Sequence, residues 1–163
     1  MDTTIPRITS WQTSNAELFV KPIPIPESNV IVELYLFDCP GQSIFNQREF
    51  GSVHFEGASM IMLVFDVNSK ESFKSCTKWY QDVCNPAPNH QLPGVLVGNK
   101  VDLKEGNREA ITAREAEDFA EQNNLKYFEC SARIGTAVDA PFVHMAHAFK
   151  KKYEEFADRA ESN

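Results

Sequence analysis

Gly94-Val95-Leu96-Val97-Gly98-Asn99-Lys100-Val101-Asp102 sets five small or apolar residues directly before a polar cluster. A run that is apolar on both faces, with no alternation, is the pattern of a strand buried in a parallel sheet. Upstream, Met60 to Val67 reads the same way. Between the two, Asn68-Ser69-Lys70-Glu71 is an N-cap box that predicts a helix through about Val83. Downstream, Thr112-Ala113-Arg114-Glu115 opens a second helix to about Asn123, and Lys126 to Cys130 is a short strand. Asp139 caps a last helix, with Pro141 in its first turn. Its stripe Phe142, Met145, Phe149, Tyr153, Phe156 steps by three or four, so one face is expected to pack on the domain. Strands alternating with helices mean an α/β fold with a mostly parallel sheet.

The N-terminal third reads differently. Phe19 to Pro26 has the residue types of a strand but carries prolines at 22, 24 and 26. Residues two apart point their N–H groups to the same edge, so all three missing donors fall on one side. That fits an edge strand and excludes a central one. After a turn at Glu27-Ser28-Asn29, Val30 to Phe37 alternates Val30, Val32, Leu34 and Leu36 against Ile31, Glu33, Tyr35 and Phe37. The pair is expected to form an antiparallel hairpin.

Of the 163 residues, 16 are basic and 23 acidic, a net charge of -7. That balance argues against a protein held to nucleic acid or to anionic lipid by bulk charge. The apolar run Ala58 to Phe65 is too short to span a bilayer. The first residues lack the pattern of a signal peptide, and neither end carries a lipidation signal, so no lipid anchor is expected. The cysteines at 39, 76, 84 and 130 have neither zinc-knuckle nor redox-pair spacing and are expected to be free thiols. His144 and His147, three apart, have no evident third ligand and are expected to be a surface or partly buried pair.

Ligands of an open α/β sheet sit beyond the C-terminal ends of its strands. Three polar clusters follow strands: Asp38-Cys39-Pro40-Gly41-Gln42, Gly98-Asn99-Lys100-Val101-Asp102 and Glu129-Cys130-Ser131-Ala132-Arg133. They are expected to line one rim. The carboxylate of Asp102 can accept two hydrogen bonds from a guanine edge, from N1–H and the exocyclic amine. Adenine offers no such donor pair and would leave the carboxylate unpaired, an asymmetry that discriminates strongly. The Lys100 stem can cover the base plane, Asn99 can bind N7 and tie loops together, and backbone N–H groups near Ser131-Ala132 can receive O6.

On these residues the chain resembles the Rab-like small GTPases of the Ras superfamily. The matching segments are Leu36-Phe37-Asp38-Cys39-Pro40-Gly41-Gln42, Met62 to Val67, Glu71-Ser72-Phe73, Gly98 to Leu103 and Glu129-Cys130-Ser131-Ala132. Val20 to Pro26, Lys78-Trp79-Tyr80, Leu92 to Lys100 and Asp139-Ala140-Pro141-Phe142 resemble more narrowly the intraflagellar-transport branch of that family. The resemblance covers about residues 13–157, leaving 1–12 and 158–163 as tails. It implies GTP or GDP and a magnesium ion as ligands. Asp38 would hold the ion through a water, with Ser14 as a weaker match for the first-switch hydroxyl. The Gly41 N–H would face the γ-phosphate, and Gln42 would orient the attacking water. The implied partners are intraflagellar transport protein 25 and other subunits of the intraflagellar transport B complex, in the cilium or flagellum and the cytoplasm.

One element of the family's pattern is missing. The glycines at 41, 51, 57, 94, 98, 106 and 135 include no Gly-x-x-x-x-Gly-Lys-Ser/Thr phosphate loop. Charge-assisted hydrogen bonds contribute about 1.5–3 kcal/mol each. Losing even four such bonds therefore weakens a nucleotide by roughly a thousandfold or more. The family's central first strand precedes that loop and is also expected to be absent, which leaves two sheet edges facing each other. Two functions follow: a GTP-binding transport subunit written as an incomplete chain, or a nucleotide-free pseudo-GTPase adaptor that serves as a docking subunit.

Overall fold

The computed structural model describes residues 17–39, 57–84 and 92–161. Among these residues five strands and three helices follow in the order β1 (Glu17–Pro24), β2 (Ile31–Asp38), β3 (Ile61–Asp66), α1 (Lys70–Cys84), β4 (Gly94–Asn99), α2 (Ala113–Gln122), β5 (Leu125–Glu129) and α3 (Ala140–Glu161). A single 3-10 turn, Val101–Leu103, follows β4.

The strands form two sheets. β1 and β2 make the antiparallel hairpin, with Ile23 opposite Val32 and Phe19 opposite Leu36. β3, β4 and β5 are parallel in that order, with Leu63 beside Leu96 and Leu96 beside Tyr127. Among the described residues β1 pairs only with β2, as its prolines require. The strand begins two residues earlier than expected and stops at Pro24. There the Ile25 N–H donates to Val30 O and Glu27 takes a positive φ of 60°, so Pro26 belongs to the turn. Among the described residues, no strand pairing joins β2 to β3.

Two apolar clusters hold the domain, and the alternation of the strands sorts their members. Leu63, Phe65, Leu96 and Leu125 point to one side, where Cys76 and Tyr80 of α1 and Ala116 and Ala120 of α2 close over them. Val95 and Val97 point to the other side and meet Met145 and Ala146 of α3. Ile23, Val32 and Leu34 of the hairpin join that second cluster, so the two sheets share a core without sharing hydrogen bonds. Each such aliphatic burial contributes about 1.5–3 kcal/mol.

Two local expectations are corrected, and a third holds. The box at Asn68 and Glu71 is not the cap of α1: the Ser69 hydroxyl accepts the Ser72 N–H at 3.2 Å, and Asn68 turns to the rim. The second box forms as expected, with the Thr112 hydroxyl accepting the Glu115 N–H and the Glu115 carboxylate accepting the Thr112 N–H. The stripe of α3 packs only in its first half. Met145 is buried, but Phe149, Tyr153 and Phe156 are 39%, 64% and 70% exposed. The reason is length. Twenty-two helical residues run ~33 Å at ~1.5 Å each, whereas five- or six-residue strands span roughly 20 Å at ~3.3 Å each.

Candidate functional site

The C-terminal ends of β4 and β5 carry the cluster. Asn99 is the last residue of β4, and its side-chain oxygen accepts three donors: the Lys100 N–H at 2.7 Å, the Ala132 N–H at 3.0 Å and the Cys130 thiol at 3.7 Å. One amide therefore ties the loop after β4 to the loop after β5. Backbone bonds reinforce the tie, with Cys130 N–H donating to Gly98 O at 2.8 Å and Val101 N–H to Cys130 O at 3.3 Å. Burial pushes the Cys130 thiol pKa up, which keeps it a neutral donor.

Asp102 lies in the 3-10 turn that follows. The Ser131 hydroxyl donates to its Oδ1 at 2.5 Å. Ser131 is fully buried, and its backbone is pinned by reciprocal bonds with Thr136 at 3.0 and 3.1 Å. The hydroxyl is thus aimed by structure rather than by chance. Asp102 Oδ2 has no hydrogen-bond or ion-pair partner among the described residues, so the carboxylate keeps an acceptor edge for a ligand. Of the two amides offered to a base O6, Ser131 N–H donates to Thr136 O and Ala132 N–H to Asn99 Oδ1. A base oxygen at that point shares the Ala132 donor with Asn99.

Lys100 sits between them with φ 64° and ψ 36°, the left-handed region that a non-glycine residue occupies at a cost of about 1–2 kcal/mol. Its carbonyl is held by Leu103 N–H at 3.0 Å and by the Asn68 side-chain amide at 3.3 Å. Its ammonium pairs with Asp66 Oδ2 at 2.9 Å. Burial pushes the Asp66 carboxyl pKa up. The hydrogen bond from Lys100, the Asn68 N–H, the Lys100 charge and the Asn68 amide together pull it below the ordinary carboxylate value.

A second ion pair braces the same loops from below. Lys104 Nζ meets Glu129 Oε1 at 2.6 Å, and the Tyr127 hydroxyl donates to that oxygen at 2.9 Å. Burial and the Glu129 carboxylate push the Tyr127 phenol pKa up, so it stays a donor. Gly98 is the residue that allows this approach: a Cβ there would lie 2.7 Å from the Tyr127 hydroxyl.

The structure thus brings Asn99, Lys100, Asp102, Ser131 and Ala132 together. Asp38 ends β2 on the other sheet, and no hydrogen bond or ion pair among the described residues links it to the cluster. Ser14, Gly41 and Gln42 lie outside the described residues. Reading motifs alone missed Asp66, Asn68, Asn107 and Lys104 as parts of the rim. Asp66 had a usable signal, since it is a charged residue closing an apolar strand at the same end of the sheet.

This donor set fits a guanine edge: one carboxylate edge open, a lysine stem beside it and an amide at the strand end. Of the residues expected to hold phosphates and a metal, only Asp38 lies among the described residues, which contain no cluster of three or more metal-ligating side chains.

The parallel sheet with its Asn-Lys-x-Asp rim and Ser-Ala loop defines a Ras-like small GTPase. The Ras family model matches residues 8–151, and the chain belongs to that family. It is 38% identical over 143 residues to the human intraflagellar transport protein 27 homolog, covering 88% of this chain and 75% of the relative. It is 38% identical over 146 residues to intraflagellar transport protein 27 of Chlamydomonas reinhardtii, covering 88% and 70%. Ras-related protein RABG3f of Arabidopsis thaliana is 32% identical over 147 residues, covering 88% and 69%.

Proposed function

We propose that this chain is a guanine-nucleotide-binding, Rab-like subunit of the intraflagellar transport B complex. The observation that carries the nucleotide half is the Asp102 carboxylate, held by the Ser131 hydroxyl at 2.5 Å with its second oxygen open. Asn99, Lys100, Ser131 and Ala132 complete the base site. The transport half is supported by the likeness to the human and algal intraflagellar transport proteins. On this reading its partners are intraflagellar transport protein 25 and other B-complex subunits, and its place is the cilium or flagellum and the cytoplasm. GTP or GDP with Mg2+ would be the ligands. Asp38, Gly41 and Ser14 would hold the ion and phosphates, and Gln42 would orient water.

The phosphate side is where a second reading gains support. Among the described residues no strand pairing joins β2 to β3, so the hairpin that carries Asp38 is not tied to the base cluster by sheet hydrogen bonds. That separation favours a docking subunit that binds nucleotide weakly or not at all. Calorimetric titration of the chain with guanosine monophosphate, GTP and adenosine monophosphate separates the two. Guanosine monophosphate binding above adenosine monophosphate, with little gain for GTP, supports the base site with a poor phosphate grip. No binding of any of the three favours the adaptor.

A further inference from the structure

We infer that Asp66 and Asn68 form a bracket that positions Lys100 for the base, a role that rests on the guanine reading of the rim. The bracket grips the lysine at both ends. Asp66 Oδ2 holds the ammonium at 2.9 Å, and the Asn68 amide holds the backbone carbonyl at 3.3 Å. Without the first contact a lysine side chain that is 53% exposed gives up its rotamer freedom whenever it must lie in one place.

The orientation of each amide in the bracket is dictated, not chosen. The Glu109 backbone N–H, which can only donate, is accepted by Asn107 Oδ1 at 3.0 Å. Asn107 Nδ2 therefore donates to Asn68 Oδ1, at 2.9 Å. Asn68 Nδ2 is then left to face acceptors, and it finds Lys100 O and Asp66 Oδ1, both at 3.3 Å. The Asn68 N–H also donates to Asp66 Oδ1 at 2.9 Å. Asp66 thus has one oxygen fixed by Asn68 and the other aimed at Lys100. The bracket joins the loop after β3 to the loop after β4, as Asn99 joins the loop after β4 to that after β5. It also explains how Lys100 sustains its left-handed backbone.

The test is calorimetric titration of the full chain with guanosine monophosphate, with thermal melting of every variant. Asp66→Asn is expected to weaken binding about three- to fivefold, the effect a half-exposed ion pair supports, with Asp66→Glu restoring most of it. Lys100→Met weakens binding more, and Asp66→Asn added to Lys100→Met costs nothing further. A scaffold role alone would lower the melting temperature and weaken binding equally with or without Lys100, and that result overturns the bracket. So does an Asp66→Asn chain that binds as the wild type does. A wild-type chain that prefers guanosine over adenosine monophosphate by no margin overturns the base reading itself, and the positioning role with it. The two failures are therefore distinct.

Discussion

Asp102→Asn should invert the base preference of the rim. In the structure Asp102 Oδ1 is spoken for by the Ser131 hydroxyl at 2.5 Å. An asparagine keeps that acceptor only by turning its amide nitrogen outward, where Oδ2 now stands. The outward atom changes from acceptor to donor, and guanine presents donors there. One to two charge-assisted bonds are lost, at about 1.5–3 kcal/mol each. One bond at the lower limit already gives roughly tenfold, and two at that limit give roughly a hundredfold or more. Because Asp102 is only partly buried, water recovers part of the loss, and a weakening of about 30-fold for guanosine monophosphate is expected. Xanthine carries a carbonyl where guanine carries its amine, so xanthosine monophosphate should gain by a comparable factor. Titrating both, with adenosine monophosphate as the control and a melting curve for the variant, decides it. Equal losses for all three bases, or an unchanged guanosine monophosphate affinity in a folded variant, would refute the assignment of Asp102.

Gly98→Ala should destabilise by about 1–3 kcal/mol, because its Cβ would press on the Tyr127 hydroxyl at 2.7 Å and Val67 Cγ1 at 2.8 Å; a melting temperature within a degree of wild type would contradict this packing. Thr112→Ala removes the hydroxyl half of the α2 capping box and leaves the backbone N–H that the Glu115 carboxylate accepts; it should cost about 1 kcal/mol, read as a lower denaturant midpoint at constant slope. Burial pushes the Cys76 thiol up to about 12, so at pH 8 iodoacetamide should leave it unmodified in the folded chain and label it once urea unfolds the chain, as read by peptide mass. Asp66, held below the ordinary carboxylate value, stabilises the fold above the unfolded-state pKa of about 3.9 and loses that contribution as pH falls through its folded value. The acid limb of a pH–stability curve should therefore be shallower in Asp66→Asn than in wild type.

The parallel half of the molecule was legible because each strand in it is apolar on both faces and each loop after it is polar. Gly94 to Asp102 needed no context to read. The hairpin was legible through its prolines, which left β1 a single pairing edge. What the sequence concealed came from side chains with two competing uses. Asn68 looks like a helix cap because Asx residues favour that position. Its amide goes to Lys100 instead, and Ser69 takes over the cap. Phe149, Tyr153 and Phe156 keep helical spacing past the point where the sheet stops, and periodicity carries no information about where a neighbour ends. Asp66 sits inside an apolar motif, so its charge read as punctuation rather than as a partner for a lysine thirty-four positions away.

The base cluster is assembled within one half of the molecule. Every contact that orients Asn99, Lys100, Asp102 and Ser131 comes from β3, β4, β5 or the loops that follow them. Asp38 alone among the described candidates stands on the hairpin, and the hairpin meets the rest mainly through apolar packing, with one ion pair from Lys21 to Asp139 at 3.0 Å and the Lys21 ammonium over the Phe142 ring, rather than through shared sheet hydrogen bonds. Apolar contacts tolerate small shifts in a way that a hydrogen-bonded rim does not, because they lack directional geometry. It follows that base recognition and phosphate recognition can fail separately in this chain. On the proposed reading, selectivity for guanine over adenine rests on the parallel half, while any dependence of affinity on the number of phosphates rests in part on how the hairpin that carries Asp38 is docked. Destabilising the hairpin's packing, for example by Val32→Ala, should therefore lower stability while leaving the guanine-to-adenine ratio unchanged. A ratio that collapses with the hairpin would show that the two halves form one site.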